Sequence, residues 1–295
     1  MNNVIECKNL THYYGKKLVY ENLNFSVKEG SILGLLGKNG AGKTTTINIL
    51  HGFLQPREGE CLIYGENTQS LTPETKSRIG FLIEGHVQYA FMDIHQIEKF
   101  YSGFYPRWNN KPYWELMSKL KVGPRQKIST MSCGQRSQVA LGLILAQEPD
   151  LLILDDFSMG LDPGYRRLFI DYLRTYAKEE NKTIFATSHI VQDMERLIDD
   201  VLIMDYNRVL AHGPIDDFMK NFKQFNFKIG QTDRDLRKEE FVVNLEVAKD
   251  EVELYTYESE AFVLDFLKKN NIPIKNFTSV PMGLEDAFIG LTGKY

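Results

Sequence analysis

Residues 31–50 read SILGLLGKNGAGKTTTINIL. The apolar run SILGLLG (31–37) ends in glycine, and a helix-like TTTINILHGF comes next (44–53). Between them Gly37-Lys38-Asn39-Gly40-Ala41-Gly42-Lys43-Thr44 has the spacing G-x-x-x-x-G-K-[ST]. Its glycines let the backbone turn tightly, so that successive N–H groups converge on phosphate oxygens. Lys43 places a point charge on β- and γ-phosphates, Thr44 offers a hydroxyl to Mg2+, and the new helix adds its positive end. The stretch predicts strand, phosphate cradle and helix, and hence a nucleotide-binding chain.

Outward from this point, β-rich runs alternate with helical patterns. GECLIYG (59–65), RIGFLI (78–83), LLILDD (151–156), TIFATS (183–188) and DDVLIMD (199–205) read as strands. The alternation predicts an α/β domain with a largely parallel sheet. LLILDD reads as a strand buried on both faces, with Asp155 at its end to hold Mg2+ through the ion's water shell. Segments 4–10 and 18–27 read as antiparallel strands, with turn signals at Gly15 and Gly30.

Between about 86 and 146 strand runs vanish in favour of aromatic, amphipathic patterns (FMDIHQIEKFYSGFY, KPYWELMSKLKV), read as a helical insertion. After about 213, EFVVNLEV and VELYTY are β-like, AFVLDFLKKNN is a helix, and GQTDRDLRKEE (230–240) is a loop. The expected organisation is a nucleotide-binding domain over 1–219 and a small α+β domain over 220–295.

The chain has 295 residues, 43% hydrophobic and 25% charged, so it can bury a sizeable core and is not compositionally disordered. A net charge of −4 argues against nucleic acid held by charge alone. No apolar run approaches the roughly 20 residues that cross a bilayer, and MNNVIECKNL lacks the pattern of a secretion signal. Cys7, Cys61 and Cys133 are read as reduced thiols of a cytosolic protein.

With further motifs in order, the first 212 or so residues resemble the ATP-binding cassette family, the nucleotide-binding subunits of ABC transporters. Met131-Ser132-Cys133-Gly134-Gln135-Arg136 is similar to that family's signature, L-S-G-G-Q-R, and precedes a helix (SQVALGLILAQ). Ser158-Met159-Gly160-Leu161-Asp162-Pro163 resembles its D-loop, and Thr187-Ser188-His189 its switch histidine. Tyr14 stands where the family stacks an aromatic ring on adenine, with Tyr13 as the structural rival. The resemblance implies a P-loop NTPase core of mixed sheet, an antiparallel β subdomain and a helical subdomain, followed by a small α+β domain. It implies contacts to ATP from Tyr14, Gly37, Asn39, Gly40, Gly42, Lys43, Thr44 and Thr45 of one chain and Ser132, Gly134, Gln135 and Asp162 of an opposed one. Asp156, His189 and Glu84 are the implied catalytic residues, and Thr44, Asp155 and Glu84 the implied Mg2+ ligands, Glu84 acting at the Q-loop.

The tail, Pro281-Met282-Gly283-Leu284-Glu285-Asp286-Ala287-Phe288 and then LTGKY, resembles ATPases serving ABC-2-type exporters. That implies a transmembrane permease partner, a second cassette in a homodimer or heterodimer, no nucleic acid, and a cytoplasmic location on the inner face of the cell membrane. Tyr89, Phe91, Phe100, Tyr101, Phe104 and Tyr105 are divided between core and permease interface.

Three positions depart from the family pattern. Asp156 replaces the usual Glu and is one methylene shorter, a misplacement on the order of 1 Å that predicts slow hydrolysis. Glu84 replaces Gln at the Q-loop and brings a formal charge. Cys133 replaces the first signature glycine and puts a side chain where backbone approaches the γ-phosphate. An exporter ATPase is the leading expectation. A slowly hydrolysing ATP-gated clamp, or the degenerate half of a heterodimer, is the alternative.

Overall fold

The computed structural model describes residues 2–83, 89–119, 122–123, 125–158 and 160–293. The chain forms two compact units, Met1–His212 and Gly213–Tyr295. In order it runs β1 (Asn3–Tyr14), β2 (Lys17–Lys28), β3 (Ile32–Gly37), α1 (Lys43–Leu50), β4 (Glu58–Ile63), β5 (Glu66–Asn67), α2 (Pro73–Ser77), β6 (Ile79–Leu82) and α3 (Ile94–Ser102). It continues α4 (Lys111–Lys119), α5 (Cys133–Ala146), β7 (Leu151–Leu154), α6 (Pro163–Glu179), β8 (Thr183–Thr187), α7 (Val191–Leu197), β9 (Asp200–Asp205) and β10 (Arg208–Pro214). The chain ends with α8 (Ile215–Asn221), β11 (Lys223–Ile229), β12 (Asn244–Ala248), β13 (Glu251–Thr256), α9 (Glu260–Lys269), β14 (Ile274–Val280) and α10 (Leu284–Thr292).

The first unit holds two sheets. One has the order β10-β9-β3-β8-β7-β6, and its pairs β9–β3, β3–β8, β8–β7 and β7–β6 are parallel. β7 and β8 are buried at every residue, the pattern of strands covered on both faces. The other sheet, β2-β1-β4-β5, is antiparallel. GECLIYG belongs to this second sheet, where β4 pairs with β1 and buried Cys61 and Ile63 alternate with half-exposed Leu62. A core of Ile5, Leu10, Phe25, Leu35, Ile47, Ile153 and Phe185 joins the two sheets. The helical insertion contains α3, α4 and α5, with α3 started by an Asp93/Gln96 capping box.

Parallel strand direction places the carboxyl ends of β3, β7 and β8 on one edge, the place where open α/β sheets hold ligands. β8 lies between β3 and β7, so the Ser188–His189 segment at its carboxyl end stands between the phosphate loop and the β7 acids.

In the second unit the sheet order is β12-β13-β11-β14, all antiparallel. Val263 and Leu267 of α9 pack with Phe225, Phe227 and Leu254. Gly290 of α10 lies so near the Tyr255 ring that no larger residue fits. Within the polar stretch read as loop, Leu236–Lys238 form a 3-10 turn, because Leu236 is buried in this core. Among the described residues no helix is long and apolar enough to cross a membrane.

Candidate functional site

The cradle is built by the bend between β3 and α1. Gly40 and Gly42 have φ of 85° and 102°, values open to glycine at little cost. A Cβ on Gly42 would stand 2.8 Å from the Tyr20 ring and 2.9 Å from Val19, so the loop is pressed against β2. Lys43 is buried, and its Nζ donates to the carbonyls of Gly37 at 2.6 Å and Lys38 at 3.3 Å. Burial lowers its pKa, while the Asp156 and Asp155 carboxylates raise it.

A cavity of about 250 Å³ opens over this bend. Asn39, Gly40, Gly42, Lys43, Thr44, Thr45 and His189 line one part, and Tyr14, Lys17 and Val19 the other. Tyr14 is exposed, its ring edge-on to His12 and its hydroxyl 3.5 Å from Thr45 Oγ1. Its rival Tyr13 is not among the lining residues. Gly37 sits below, as the carbonyl that holds Lys43.

Two acids come directly after β7, and Thr187 at the end of β8 touches both. Thr187 Oγ1 donates to Asp155 Oδ1 at 2.6 Å and accepts the Asp156 N–H at 3.1 Å. Asp155 is buried, which pushes its pKa up against the pull of the Thr187 hydroxyl. Asp156 has a φ of 46°, a left-handed conformation that turns its carboxylate to the next segment. Its Oδ1 accepts the His189 N–H at 3.0 Å, and its Oδ2 lies 3.6 Å from His189 Nε2. Oδ2 is buried and has no hydrogen-bond partner, an atom that a bound water would satisfy.

One buried carboxylate and one exposed hydroxyl, Asp155 and Thr44, suit Mg2+, which retains waters and takes its other oxygens from phosphate. Among the described residues no group of three or more His, Cys, Asp or Glu forms a metal cage. Glu84 lies outside the described residues, so its assignment receives no structural account.

Ser132, Gly134, Gln135 and Asp162 do not line the cavity. Ser132 caps α5: its Oγ accepts the Gln135 N–H at 3.2 Å, and Gln135 Oε1 accepts the Ser132 N–H at 3.0 Å. Asp162 caps α6, with Oδ1 accepting the N–H groups of Gly164 and Tyr165, both at 3.1 Å. A Cβ on Gly134 would stand 3.3 Å from Leu161, and one on Gly160 2.6 Å from Cys133 Sγ. The Cys133 sulfur therefore packs along the D-loop, although the residue is exposed.

Sequence reading missed the double role of Thr187 and the presence of Lys17 and Val19 in the cavity wall. Thr187 carries a signal, a hydroxyl at the end of a buried strand. Lys17 is found through pairing, since it stands opposite Tyr14 across the β1–β2 turn.

A family profile described as ABC transporter matches residues 20–158. The bacitracin transport ATP-binding protein BcrA of Bacillus licheniformis is 32% identical over 302 residues, covering 99% of this chain and 98% of that protein. The Nod factor export ATP-binding protein I of Burkholderia orbicola is 29% identical, covering 98% of this chain and 97% of that protein. A solved ATP-binding subunit of an ABC transporter superposes with a TM-score of 0.65 at 26% identity, over 74% of this chain and 92% of that one.

Proposed function

Because this chain belongs to the ABC transporter family, as an ATP-binding subunit, we propose that it binds and hydrolyses ATP to drive a membrane exporter. One observation carries the reading: Asp156 and His189 are joined at the mouth of the Lys43 cradle, while Ser132 lies outside that cavity.

Tyr14 offers a ring to the adenine, and the N–H groups of the loop and Lys43 receive the phosphates. Bound Mg2+, held by Thr44 and Asp155, would neutralise charge on the β- and γ-phosphates. Asp156 Oδ2 orients the attacking water, and His189 contacts the γ-phosphate. A second cassette supplies Ser132 and its neighbours from the opposite side, so ATP closes the pair and hydrolysis opens it. Cargo passes through a separate permease of the ABC-2 type at the inner face of the membrane. Tyr89, Phe91, Phe100 and Phe104 are exposed and in mutual ring contact, forming an apolar face for that permease, whereas Tyr101 and Tyr105 are half-buried. The name of the Nod factor relative supports an exporter role, and that of the bacitracin relative a transport role.

The test is complementation. Lys43→Ala and Ser132→Ala chains are each expected to lose turnover. Mixed together they should regain it, because a mixed dimer has one site with both residues intact. A mixture as inactive as its components sinks the sandwiched arrangement.

A clamp with little turnover is the second reading. It is favoured by Asp156, whose shorter carboxylate already commits one oxygen to its own chain's His189 N–H. Phosphate release measured with and without the membrane partner separates the two.

A further inference from the structure

We infer that Arg166 is a positioning residue for His189, acting through Asp193 to make the D-loop helix and the switch segment move as one body. The inference rests on the ATPase reading above. α7, which begins just after His189, has seven residues and no side-chain N-cap. A helix this short is marginal by itself and takes its position from its neighbours. Beneath it, Met194 and Ile198 close on Gly34 of β3, where an added Cβ would stand 2.6 and 2.7 Å from them.

α6 grips α7 at both ends. Arg166 Nε lies 3.3 Å from Asp193 Oδ1, in the first turn of α7. Arg174, two turns further along the same face of α6, donates to the carbonyls of Arg196 and Leu197, both at 2.9 Å. The segments ahead of these helices are also joined. Ser158 and Ser188, both buried, have hydroxyls 3.1 Å apart, and Ser188 Oγ accepts the Ile190 N–H at 3.0 Å. Burial raises the Asp193 pKa, and the Ser158 hydroxyl, Arg166 and, more weakly, Arg196 favour its charged form.

α6 is entered directly from the D-loop, with Asp162 as its N-cap, and this is the part that faces an opposed cassette in the proposed dimer. A displacement there is carried by Arg166 to Asp193 and so to the His189–Asp156 bond. Without Arg166, a buried carboxylate loses its ion-pair partner, with only the weaker pull of Arg196 left among the described residues, and the first turn of α7 loses its anchor.

The experiment uses the full chain. Arg166→Met is expected to lower kcat about tenfold with KM for ATP within about twofold, a loss in line with a sub-ångström displacement of a catalytic group. Arg166→Lys should restore most of it, and Asp193→Asn added to Arg166→Met should recover part. Hydrogen exchange of the His189 amide should speed up about tenfold in Arg166→Met and stay near the parent rate in Arg174→Met, which loosens the far end of α7. Unchanged exchange at His189 in Arg166→Met overturns the inference, as does an equal response in Arg174→Met. A parent chain without turnover in its native complex overturns the ATPase reading instead, since the exchange readout needs no hydrolysis.

Discussion

The backbone N–H of His189 donates to Asp156 Oδ1 at 3.0 Å, which ties the acid after β7 to the histidine after β8. The other carboxylate oxygen, Oδ2, has no hydrogen-bond partner among the described residues. The shorter side chain of Asp therefore holds the switch segment through Oδ1, and in the proposed reaction orients the attacking water through Oδ2.

Asp156→Glu separates these tasks. The added methylene carries the carboxylate about 1 Å outward, and steady-state ATPase is expected to rise, by about tenfold. Stability should fall by about 1 kcal/mol, because φ of 46° suits Asp better than Glu. A variant no faster than the parent refutes the proposal that Asp156 slows hydrolysis.

Gly40 and Gly42 should respond unequally to alanine. Both have positive φ, which alone costs roughly 1–2 kcal/mol in an L-residue. Gly40 has open space around it, whereas a Cβ on Gly42 meets Tyr20 and Val19. Gly42→Ala is expected to lower Tm further and to weaken ATP binding more than Gly40→Ala, as thermal melting and calorimetric titration would show. Equal losses would mean that Tyr20 does not brace the cradle.

His51, at the end of α1, packs against Phe81 with ring centroids 3.7 Å apart and planes tilted by 31°, and burial pushes its pKa down to about 4. The unfolded chain takes a proton there near pH 6.5, and the folded chain resists until about pH 4. Stability from this group is complete above pH 6.5 and lost as pH falls toward 4, on the order of 2 kcal/mol given its partial exposure. His51→Phe keeps the ring contact and should flatten that part of the stability–pH curve. Parallel curves for parent and variant in urea unfolding between about pH 7 and 4.5 would discard the assignment.

Cys133 is exposed, whereas Cys7 and Cys61 are buried with their sulfurs 2.9 Å apart. A maleimide should label one thiol per native chain quickly and the other two after unfolding, as intact mass reads directly. Labelled chains are expected to retain nucleotide binding to the Lys43 cradle and to lose turnover, since the label sits beside Ser132. Turnover that survives complete labelling would place the signature away from the site.

The phosphate cradle was legible because its chemistry is local. Eight consecutive residues supply the turn, the cation and the hydroxyl, and the structure lines one cavity with Asn39, Gly40, Gly42, Lys43 and Thr44 of that loop. The parallel sheet was legible for a similar reason, as inner strands such as LLIL and TIFAT are apolar throughout. GECLIYG was harder. Its apolar character marks a strand, but which sheet it joins depends on β1, more than fifty residues earlier.

Sequence alone therefore determined the glycine-rich loop between strand and helix, the α/β class and the family resemblance, because each resides in short runs whose backbone needs are met by the residues themselves. Tertiary structure alone decided that Thr187 pins both acids, that Asp156 bonds to His189, that Cys133 packs along Gly160, and that α6 holds α7 through Arg166 and Arg174. These are contacts between segments far apart in the chain. They depend on strand order, with β8 placed between β3 and β7, which residue type and spacing do not encode.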